Sequence, residues 1–244
     1  MKVAVILPAA GLGTRMGRSS AEKTGTSRKQ FMLLDGSPIL VHTVRKFAAS
    51  DRVTEIVVSV RAEDVEWVAE LLRGEAPGKP VRVVEGGNSR QESVQNGLRV
   101  LDPDTDLVAV HDAVRPFIDL ETIGNVIDEA TQTGAAIVGI VPVDTVKQVT
   151  RAQNARAKIR STIPRDKLVL AQTPQVFRYN LLQQAFQAAR DDGFTGTDES
   201  SLVERLEQVE VSVVPGSDRN IKITKPSDMD LARLFLEQDA VRRA

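Results

Sequence analysis

Short apolar runs alternate with longer amphipathic runs along most of the chain. The candidate strands are valine-rich and apolar on both faces, which is typical of parallel strands covered by helices on both sides. These strands are Val3–Leu7, Glu55–Val60, Val81–Glu85, Leu107–His111 and Ala135–Val141. The candidate helices have apolar residues three and four positions apart, and they are Ile39–Ala49, Ala62–Arg73, Arg90–Leu101 and Leu120–Gln132. The alternation predicts an α/β fold with a doubly wound, mostly parallel sheet.

The pattern changes between about Pro142 and Gln172, where β-branched and basic residues mix without a core signal. Two extended segments around a polar turn at Arg151–Arg156 would form a projecting β-arm. Because an isolated hairpin is marginally stable in water, we expect this arm to pack on another subunit. Helical patterns resume at Asn180–Arg190, Glu199–Leu206 and Ser227–Gln238, with a further strand at Val211–Val214. We therefore expect a single domain over residues 1–244 with a dimerisation arm at about 142–172.

Composition narrows the classes of function. The net charge is −1, with 32 basic and 33 acidic side chains, so nucleic acid is not expected as the main partner. The chain has no cysteine and only two histidines, which excludes disulfides and thiolate catalysis and argues against a histidine-rich metal site. No apolar stretch approaches the ~18 residues of a membrane span, and the run after Lys2 fits a buried strand better than a signal peptide. We expect a cytoplasmic protein.

A glycine-rich loop, "LPAAGLGTRMG", follows the first candidate strand. Gly11, Gly13 and Gly17 would let the backbone turn tightly and approach a phosphate, although a plain strand-to-helix turn remains the alternative. A dinucleotide fingerprint requires glycine or alanine three residues after Gly13, where Met16 stands. A Walker A motif requires glycine five residues after the first glycine, and neither Gly11 nor Gly13 meets this requirement.

Two cations accompany this loop: Arg15 lies within it, and Lys29 follows the polar segment Arg18–Arg28, which predicts a further loop. Cations beside a backbone cradle suit a triphosphate and could neutralise charge in a phosphoryl transition state. Solvated surface charges are the alternative, and it remains more open for Lys29 than for Arg15. The glycine spacing disfavours a nicotinamide-dependent dehydrogenase, and the paired cations disfavour a nucleotide-binding module without catalysis.

Further segments carry a family resemblance. They are "KQF" at Lys29–Phe31, "GG" at Gly86–Gly87, "RQESVQNGL" at Arg90–Leu98, "VHDAVRP" at Val110–Pro116, "DTVK" at Asp144–Lys147, "QTPQVF" at Gln172–Phe177, "TDESSLVE" at Thr197–Glu204 and "NIKIT" at Asn220–Thr224. In this order, and over nearly the whole chain, they resemble the polyol-phosphate cytidylyltransferase family. One departure is Arg28, where the family usually has proline before "KQ".

The resemblance implies a nucleotidyltransferase version of the Rossmann-like fold and the transfer of CMP from CTP to a polyol phosphate, with release of pyrophosphate and a requirement for Mg²⁺. The expected acceptor is a methylerythritol phosphate of non-mevalonate isoprenoid synthesis. Ribitol 5-phosphate is the alternative acceptor. A sugar-nucleotide pyrophosphorylase that uses UTP or GTP is a more distant alternative, which the spacing of "GGNSR" and "SV" disfavours.

The resemblance also implies roles for individual residues. Arg15 and Lys29 are the expected catalytic residues, which stabilise charge on the α-phosphorus. The expected CTP contacts are Ala9, Ala10, Gly11, Gly13, Gly87, Ser93 and Lys222, and the expected acceptor contacts are Asp112, Arg115, Thr145, Arg165, Thr173 and Thr197. Asp112, at the carboxyl end of a strand, is also the candidate Mg²⁺ ligand. In this family the arm that carries Thr145 and Arg165 reaches the neighbouring subunit's site, which implies a homodimer.

Structural roles are the alternative for several of these residues. The segment at 88–89 could serve only as a helix N-cap, and Asp112 with Arg115 could be a local ion pair. We interpret His111 as a structural hydrogen-bonding residue and leave it out of catalysis. Lys222 could point outward, whereas an inward lysine would need an anion such as a phosphate. No strong base is required, because a phosphate monoester is already an anionic nucleophile.

Overall fold

Strands and helices alternate over most of the residues that the computed structural model describes, which are 1–11, 28–150 and 157–243. In chain order the strands are β1 (Val3–Pro8), β2 (Leu33–Leu34), β3 (Ser37–Pro38), β4 (Glu55–Val60), β5 (Val81–Glu85), β6 (Leu107–Val110), β7 (Ala135–Ile140), β8 (Val146–Val149), β9 (Ile159–Ile163), β10 (Leu170–Arg178) and β11 (Ser212–Pro215). The α-helices are α1 (Ile39–Ala48), α2 (Val65–Leu71), α3 (Arg90–Arg99), α4 (Leu120–Thr133), α5 (Tyr179–Asp191), α6 (Glu199–Glu204) and α7 (Pro226–Arg243). Short 3-10 helices lie at Lys29–Phe31, Ala62–Asp64 and Arg165–Lys167.

Within the described residues, the central sheet has seven strands in the order β11-β7-β10-β6-β1-β4-β5. Strand β1 pairs in parallel with β4 and β6, β4 with β5, and β7 with β11. Of these seven described strands, β10 alone, between β6 and β7, runs antiparallel to its neighbours. The predicted fold class, α/β with a mostly parallel sheet, is therefore confirmed.

Helices cover both faces of this sheet, so it is doubly wound. Helices α1, α2 and α4 contribute to one core, where Val5 of β1 and Ile123 of α4 are fully buried. Helices α3, α5 and α6 contribute to the other core, which contains Ile6 of β1 and Phe186 of α5. Val5 and Ile6 enter opposite cores because successive side chains of a strand point to opposite faces. None of the helices in the described part of the chain is long and apolar enough to cross a membrane.

Strand β10 is the one strand of the described central sheet that the sequence pattern does not predict. Its middle part, Gln172–Gln175, lacks an apolar periodicity, and Pro174 within it has no N–H for the ladder. Pairing with β7 stops after Ala171 and resumes with a shifted register at Gln175. The strand nevertheless fully buries Phe177, so tertiary packing rather than local pattern determines this element. It carries Thr173 to the edge of the sheet where β6 ends.

The segment predicted as an arm contains a two-stranded antiparallel ribbon, β8 with β9, separate from the central sheet. Its apolar side chains are poorly covered in this chain, since Val149 is 49% exposed and Ile159 is 65% exposed. The predicted turn at Arg151–Arg156 lies outside the described residues. From Leu170 onward the segment belongs to β10. The packing of this ribbon on another subunit remains a prediction.

Candidate active site

An open cleft lies at the edge of the sheet where β1, β5 and β6 end. The segments that follow these three strands form its walls, together with the residues at 29–30 and Lys222. The carboxyl ends of parallel strands are where open α/β sheets bind ligands. The lining residues are Pro8, Ala9, Ala10, Gly11, Lys29, Gln30, Gly87, Asn88, Ser89, Arg90, Ser93, Asp112, Ala113, Val114 and Lys222.

The loop after β1 is held by a buried side chain. The amide nitrogen of Gln30 donates to the carbonyl oxygens of Ala9, at 2.7 Å, and Gly11, at 3.0 Å. Gln30 is only 2% exposed, so these two hydrogen bonds are shielded from water. The start of the glycine loop is thereby tied to the segment that carries Lys29.

The loop after β5 contains two glycines because side chains would not fit there. A Cβ atom on Gly86 would lie 2.9 Å from the Cβ atom of Ala10 and 3.0 Å from Oγ of Ser93. The Gly87 N–H donates to the Ser93 hydroxyl at 3.1 Å, and that hydroxyl donates to the Ser89 carbonyl at 2.8 Å. Ser89 is the N-cap of α3. Ser93 therefore fixes the shape of this wall as well as lining it.

Asp112 is a carboxylate surrounded by cations. Its Oδ2 atom lies 2.9 Å from Nζ of Lys222 and 3.1 Å from Nε of Arg115, and its Oδ1 atom lies 3.3 Å from Nε of Arg90. Burial by itself raises the pKa of Asp112, but Lys222, Arg90 and Arg115 outweigh burial and hold that pKa well below its usual range. Asp112 is therefore ionised at neutral pH, and it holds Lys222 in the cleft.

Arg90 links Asp112 to a second buried carboxylate. Its NH1 atom donates to both carboxylate oxygens of Glu199, at 2.6 and 2.7 Å. Glu199 lies at the start of α6 and is 1% exposed. Burial by itself lowers the pKa of Arg90, but Glu199 and Asp112 more than offset this and raise it. Arg90 is therefore a permanent cation that joins α3, α6 and the end of β6.

Hydrogen bonds through Thr173 and His111 hold the backbone at Asp112. The Asp112 N–H donates to the Thr173 hydroxyl oxygen at 3.1 Å, and Nδ1 of His111 lies 3.0 Å from the same oxygen. Nε2 of His111 lies 3.1 Å from the carbonyl oxygen of Arg115. These contacts fit a neutral His111 that carries its proton on Nε2 and accepts a hydrogen bond from Thr173. His111 is fully buried, and burial lowers its pKa to about 4, which agrees with the structural role inferred from the sequence.

Most of the residues predicted to contact CTP line this cleft. Several of the residues predicted to contact the acceptor do not line the cleft of the same chain. The cleft is lined by Ala9, Ala10, Gly11, Lys29, Gly87, Ser93, Asp112 and Lys222. Gly13 and Arg15 lie outside the described residues. Thr173 and Arg115 do not line the cleft but contact Asp112, which does. The Arg115 guanidinium also donates to the Asn220 carbonyl oxygen at 2.6 Å.

Thr145, Arg165 and Thr197 are exposed and do not line this cleft. Thr145 directly precedes β8, and Arg165 follows β9 and donates to the Val143 carbonyl oxygen. Both therefore lie at the base of the β8–β9 ribbon. Their predicted contact with substrate, and that of Thr197, remains a prediction.

The donor set for Mg²⁺ is small. Among the described residues there is no group of three or more histidine, cysteine or acidic side chains that could hold a metal ion. Of the described side chains that line the cleft, Asp112 alone carries a carboxylate, and its oxygens already contact three cationic side chains. This arrangement does not fit a metal site built from protein ligands alone, although Mg²⁺ commonly binds through one carboxylate together with substrate phosphates.

Sequence reasoning missed three residues that organise the cleft, although all lie inside motifs that the resemblance uses. Gln30 belongs to "KQF", Arg90 begins "RQESVQNGL", and Glu199 lies in "TDESSLVE". Each acts through a partner distant in sequence, and no local periodicity indicates such a partner. An arginine at the first position of α3 is a local signal for Arg90, since helix N-termini favour negative rather than positive charge.

Comparisons with known proteins show which family the chain resembles over nearly its whole length. The family model described as 2-C-methyl-D-erythritol 4-phosphate cytidylyltransferase matches residues 3–238. A protein of that name from Solibacter usitatus is 72% identical over 99% of this chain and 98% of its own length. One from Acidobacterium capsulatum is 51% identical over 99% of this chain and 100% of its own.

Solved structures of enzymes with the same activity also share the fold of this chain. The 4-diphosphocytidyl-2C-methyl-D-erythritol synthase of Anaerococcus prevotii is 28% identical with a TM-score of 0.81, covering 97% of this chain and 98% of its own. The 2-C-methyl-D-erythritol 4-phosphate cytidylyltransferase of Francisella tularensis is 31% identical with a TM-score of 0.77, covering 96% of this chain and 99% of its own. Sequence and fold therefore point to the same family.

Proposed function

The chain belongs to the 2-C-methyl-D-erythritol 4-phosphate cytidylyltransferase family, and from this premise we propose how its cleft carries out the reaction. The enzyme transfers the cytidylyl group of CTP to 2-C-methyl-D-erythritol 4-phosphate. The products are 4-diphosphocytidyl-2-C-methyl-D-erythritol and pyrophosphate. The ribitol phosphate alternative has no support among these relatives. A cytoplasmic location remains a prediction from the sequence.

CTP would bind between the loops that follow β1 and β5. The backbone of Ala9–Gly11 would cradle phosphate oxygens, and Gly87 with Ser93 would approach the cytosine. The hydrogen bonds that hold both loops, from Gln30 and Ser93, support this assignment, because a preorganised wall loses little freedom on binding. A purine would be too large for a pocket shaped to a pyrimidine.

Lys29 and Lys222 would neutralise the triphosphate and, with Arg15, the charge that develops at the α-phosphorus. An oxygen of the acceptor's phosphate forms the new bond to the α-phosphorus of CTP. The bond from that phosphorus to the bridging oxygen of the β-phosphate breaks, and pyrophosphate leaves with its electron pair. The acceptor is already anionic, so no side chain has to remove a proton. Alignment and charge neutralisation are then the main contributions of the protein.

Asp112 would orient the cations and contact the acceptor. Its ionised carboxylate lies 2.9 Å from Lys222, which keeps the lysine directed into the cleft before CTP arrives. Its backbone N–H and side chain are fixed by Thr173, Arg115 and Arg90. A carboxylate held this firmly can accept hydrogen bonds from polyol hydroxyls at little conformational cost.

Mg²⁺ would enter as part of the CTP complex. The cleft offers Asp112 as a lone carboxylate ligand among the described residues, and phosphate oxygens would supply other ligands. When bound, the ion would neutralise phosphate charge. We predict that turnover requires a divalent cation, whereas the protein without CTP binds Mg²⁺ weakly. Pyrophosphate release measured with and without Mg²⁺ tests the first prediction, and calorimetric titration of Mg²⁺ into the CTP-free protein tests the second.

A homodimer would complete the acceptor site. Thr145 and Arg165 flank the base of the β8–β9 ribbon and do not line the cleft of their own chain. Val143 near this base is 79% exposed, and Ile159 at the opposite end of the ribbon is 65% exposed. Burial of such apolar side chains against a second copy would stabilise the ribbon. Mixing Lys29→Ala chains with Arg165→Ala chains tests this: mixed dimers should regain activity that neither variant has alone. Verified mixed dimers without recovery would exclude shared sites.

The observation that carries the proposed mechanism is the convergence of Lys29, Lys222 and Asp112 on one cleft at the carboxyl edge of the sheet. An acceptor panel tests the reaction itself. With CTP and Mg²⁺, pyrophosphate release should require 2-C-methyl-D-erythritol 4-phosphate, and ribitol 5-phosphate should be a poor acceptor. Turnover confined to ribitol 5-phosphate would overturn the assignment of the acceptor.

A further inference from the structure

We propose that Arg28, Asp64 and Trp67 form a positioning device for Lys29, which we name the Asp64 clamp. The proposal rests on the proposed function in one respect, namely that Lys29 acts on the triphosphate of CTP. The three clamp residues do not line the cleft. They would act on the reaction only through the segment that carries Lys29.

The centre of the clamp is a buried carboxylate that joins the side chain of Trp67, in its own helix α2, to Arg28, which directly precedes Lys29. Asp64 is 2% exposed and occupies the N-cap position of α2, yet its side chain makes no capping hydrogen bond. Aspartate at an N-cap usually accepts a hydrogen bond from the first helical turn. Here the Oδ1 atom instead accepts hydrogen bonds from NH2 of Arg28, at 2.7 Å, and from Nε1 of Trp67, at 3.0 Å. Arg28 also donates to Oδ2 through NH1.

This two-point contact fixes Arg28 in direction as well as distance. A planar guanidinium that donates to both oxygens of one carboxylate has little freedom to rotate. The contact is largely shielded from water, since the Asp64 side chain is 2% exposed and the Arg28 side chain is 23% exposed. Loss of either charge would leave the other poorly compensated, because a buried ion without a partner is strongly disfavoured.

Aromatic packing attaches the same cluster to the residues beyond Lys29. The Arg28 guanidinium lies 5.0 Å from the ring centre of Phe31, and the Phe31 and Trp67 rings meet edge to face with their centres 4.6 Å apart. Phe31 is 4% exposed and belongs to the core beneath the sheet. The 3-10 helix Lys29–Phe31 is therefore held at both ends by the clamp and its aromatic neighbours.

Lys29 lies between these anchored residues and lines the cleft. A lysine side chain is long and flexible, so its usefulness in a transition state depends on how well its backbone is held. The clamp holds that backbone directly before Lys29, and Phe31 holds it after. The structure therefore assigns Arg28 and Asp64 as positioning residues for Lys29, and Trp67 as the residue that orients Asp64.

Substitutions in two backgrounds test the clamp. In the otherwise unchanged enzyme, Arg28→Ala and Asp64→Asn should each lower kcat/KM for CTP by about 10- to 100-fold, since small misplacements of a reacting group cost rate on this scale. Arg28→Lys, which keeps the charge but can make only part of the two-point contact, should recover some of the loss. In a Lys29→Ala background, adding Arg28→Ala should lower the remaining rate less than about twofold, because the group that it positions is already missing.

The matched control is Arg52→Ala. Arg52 also pairs with an aspartate, Asp128, but both side chains are substantially exposed, at 35% and 52%, and neither lines the cleft. Turnover of this variant should equal that of the unchanged enzyme. Trp67 supplies a second measurement, as it is the chain's only tryptophan. Its emission should shift in Arg28→Ala and Asp64→Asn but not in Lys29→Ala, since the clamp does not depend on the lysine side chain.

The outcomes separate the clamp from the proposed function. Normal turnover of Lys29→Ala would contradict the role of Lys29 and the clamp with it. A large loss in Lys29→Ala with normal turnover in Arg28→Ala and Asp64→Asn would overturn the clamp alone. An Arg28→Ala loss of equal size in both backgrounds would show a general structural effect and would also overturn the clamp. If Arg28→Ala fails to fold, Asp64→Asn and Arg28→Lys decide between the same outcomes.

Discussion

The Nζ atom of Lys222 lies 2.9 Å from the Oδ2 atom of Asp112, so a buried carboxylate pairs with a lysine that lines the cleft. When CTP binds, its triphosphate would compete with Asp112 for Lys222, and Asp112 would remain paired with Arg90 and Arg115. The contact therefore links the CTP part of the site to the acceptor part. It also predicts that affinity and rate respond differently when the carboxylate is neutralised.

Asp112→Asn should separate CTP binding from turnover. The amide keeps the shape of the side chain but no longer competes with phosphate for Lys222, so the dissociation constant for CTP should stay the same or decrease. The value of kcat should fall by about 10²-fold, because the cations and the acceptor lose their fixed partner. Calorimetry and steady-state kinetics measure the two quantities. Weaker CTP binding with an unchanged kcat would contradict this role.

Replacement of Arg90 is expected to lower the free energy of unfolding. Arg90→Ala would leave Glu199 buried without a cation, which costs about 3–5 kcal/mol. Combining Arg90→Met with Glu199→Gln removes both charges and should recover much of that loss. Denaturant unfolding measures the difference. Equal destabilisation by Arg90→Ala and by the double variant would show that the ion pair is not the source of the effect.

His111 should make the fold less stable in weak acid. Its pKa is lowered to about 4 in the folded state, whereas the unfolded value is about 6.5. The unfolded chain therefore binds more protons between these values, and stability falls as the pH drops from about 6.5 towards 4. The loss due to His111 between pH 7 and pH 5 is about 2 kcal/mol.

The measurement for His111 is the free energy of unfolding at pH 7 and at pH 5, compared between the unchanged enzyme and His111→Gln. The comparison cancels the contributions of other titrating groups. The unchanged enzyme should lose about 2 kcal/mol more than the variant over this interval. Identical losses would mean that His111 is not held neutral in the folded protein.

Gly86→Ala should damage the cleft, because the added Cβ would lie 2.9 Å from the Cβ atom of Ala10 and 3.0 Å from Oγ of Ser93. The loops after β1 and β5 would then separate, and KM for CTP should rise. Gly124→Ala is the matched control: it lies within α4, and an added Cβ meets nothing within 4 Å. The control should keep normal kinetics and gain about 0.5–1 kcal/mol of stability. A normal KM in Gly86→Ala would argue against this wall as a CTP contact.

The sequence predicted the parallel part of the sheet well because its strands are continuous apolar runs between turn signals. Strand Glu55–Val60, for example, has the predicted limits. It did not predict β10, because Pro174 and the polar residues beside it hide a strand whose burial depends on its neighbours in space. The helix predicted from Ala62 begins as a 3-10 turn and becomes α-helical only at Val65. Its Asp64 side chain makes no backbone cap and instead accepts hydrogen bonds from the side chains of Arg28 and Trp67.

The sequence indicates the parts of the candidate site that local motifs form. It does not indicate the parts that depend on ion pairs between residues far apart in the chain. Gly87 and Ser93 lie in one local motif, and both line the cleft. The pairing of Arg90 with Glu199 joins residues that no spacing rule connects, so only the folded chain reveals it. The placement of Lys29 was uncertain from the sequence because Arg28 departs from the family pattern. The structure links Arg28 to Asp64, a contact that is likewise long-range.

Single-turnover pyrophosphate release is the most direct test of the central claim that Lys29 and Lys222 hold CTP for attack by 2-C-methyl-D-erythritol 4-phosphate. With both substrates and Mg²⁺ saturating, Lys29→Ala and Lys222→Ala should each lower the rate by about 10²-fold or more. Lys225→Ala, an exposed lysine that does not line the cleft, should keep the normal rate. Normal rates in Lys29→Ala and Lys222→Ala would contradict the account.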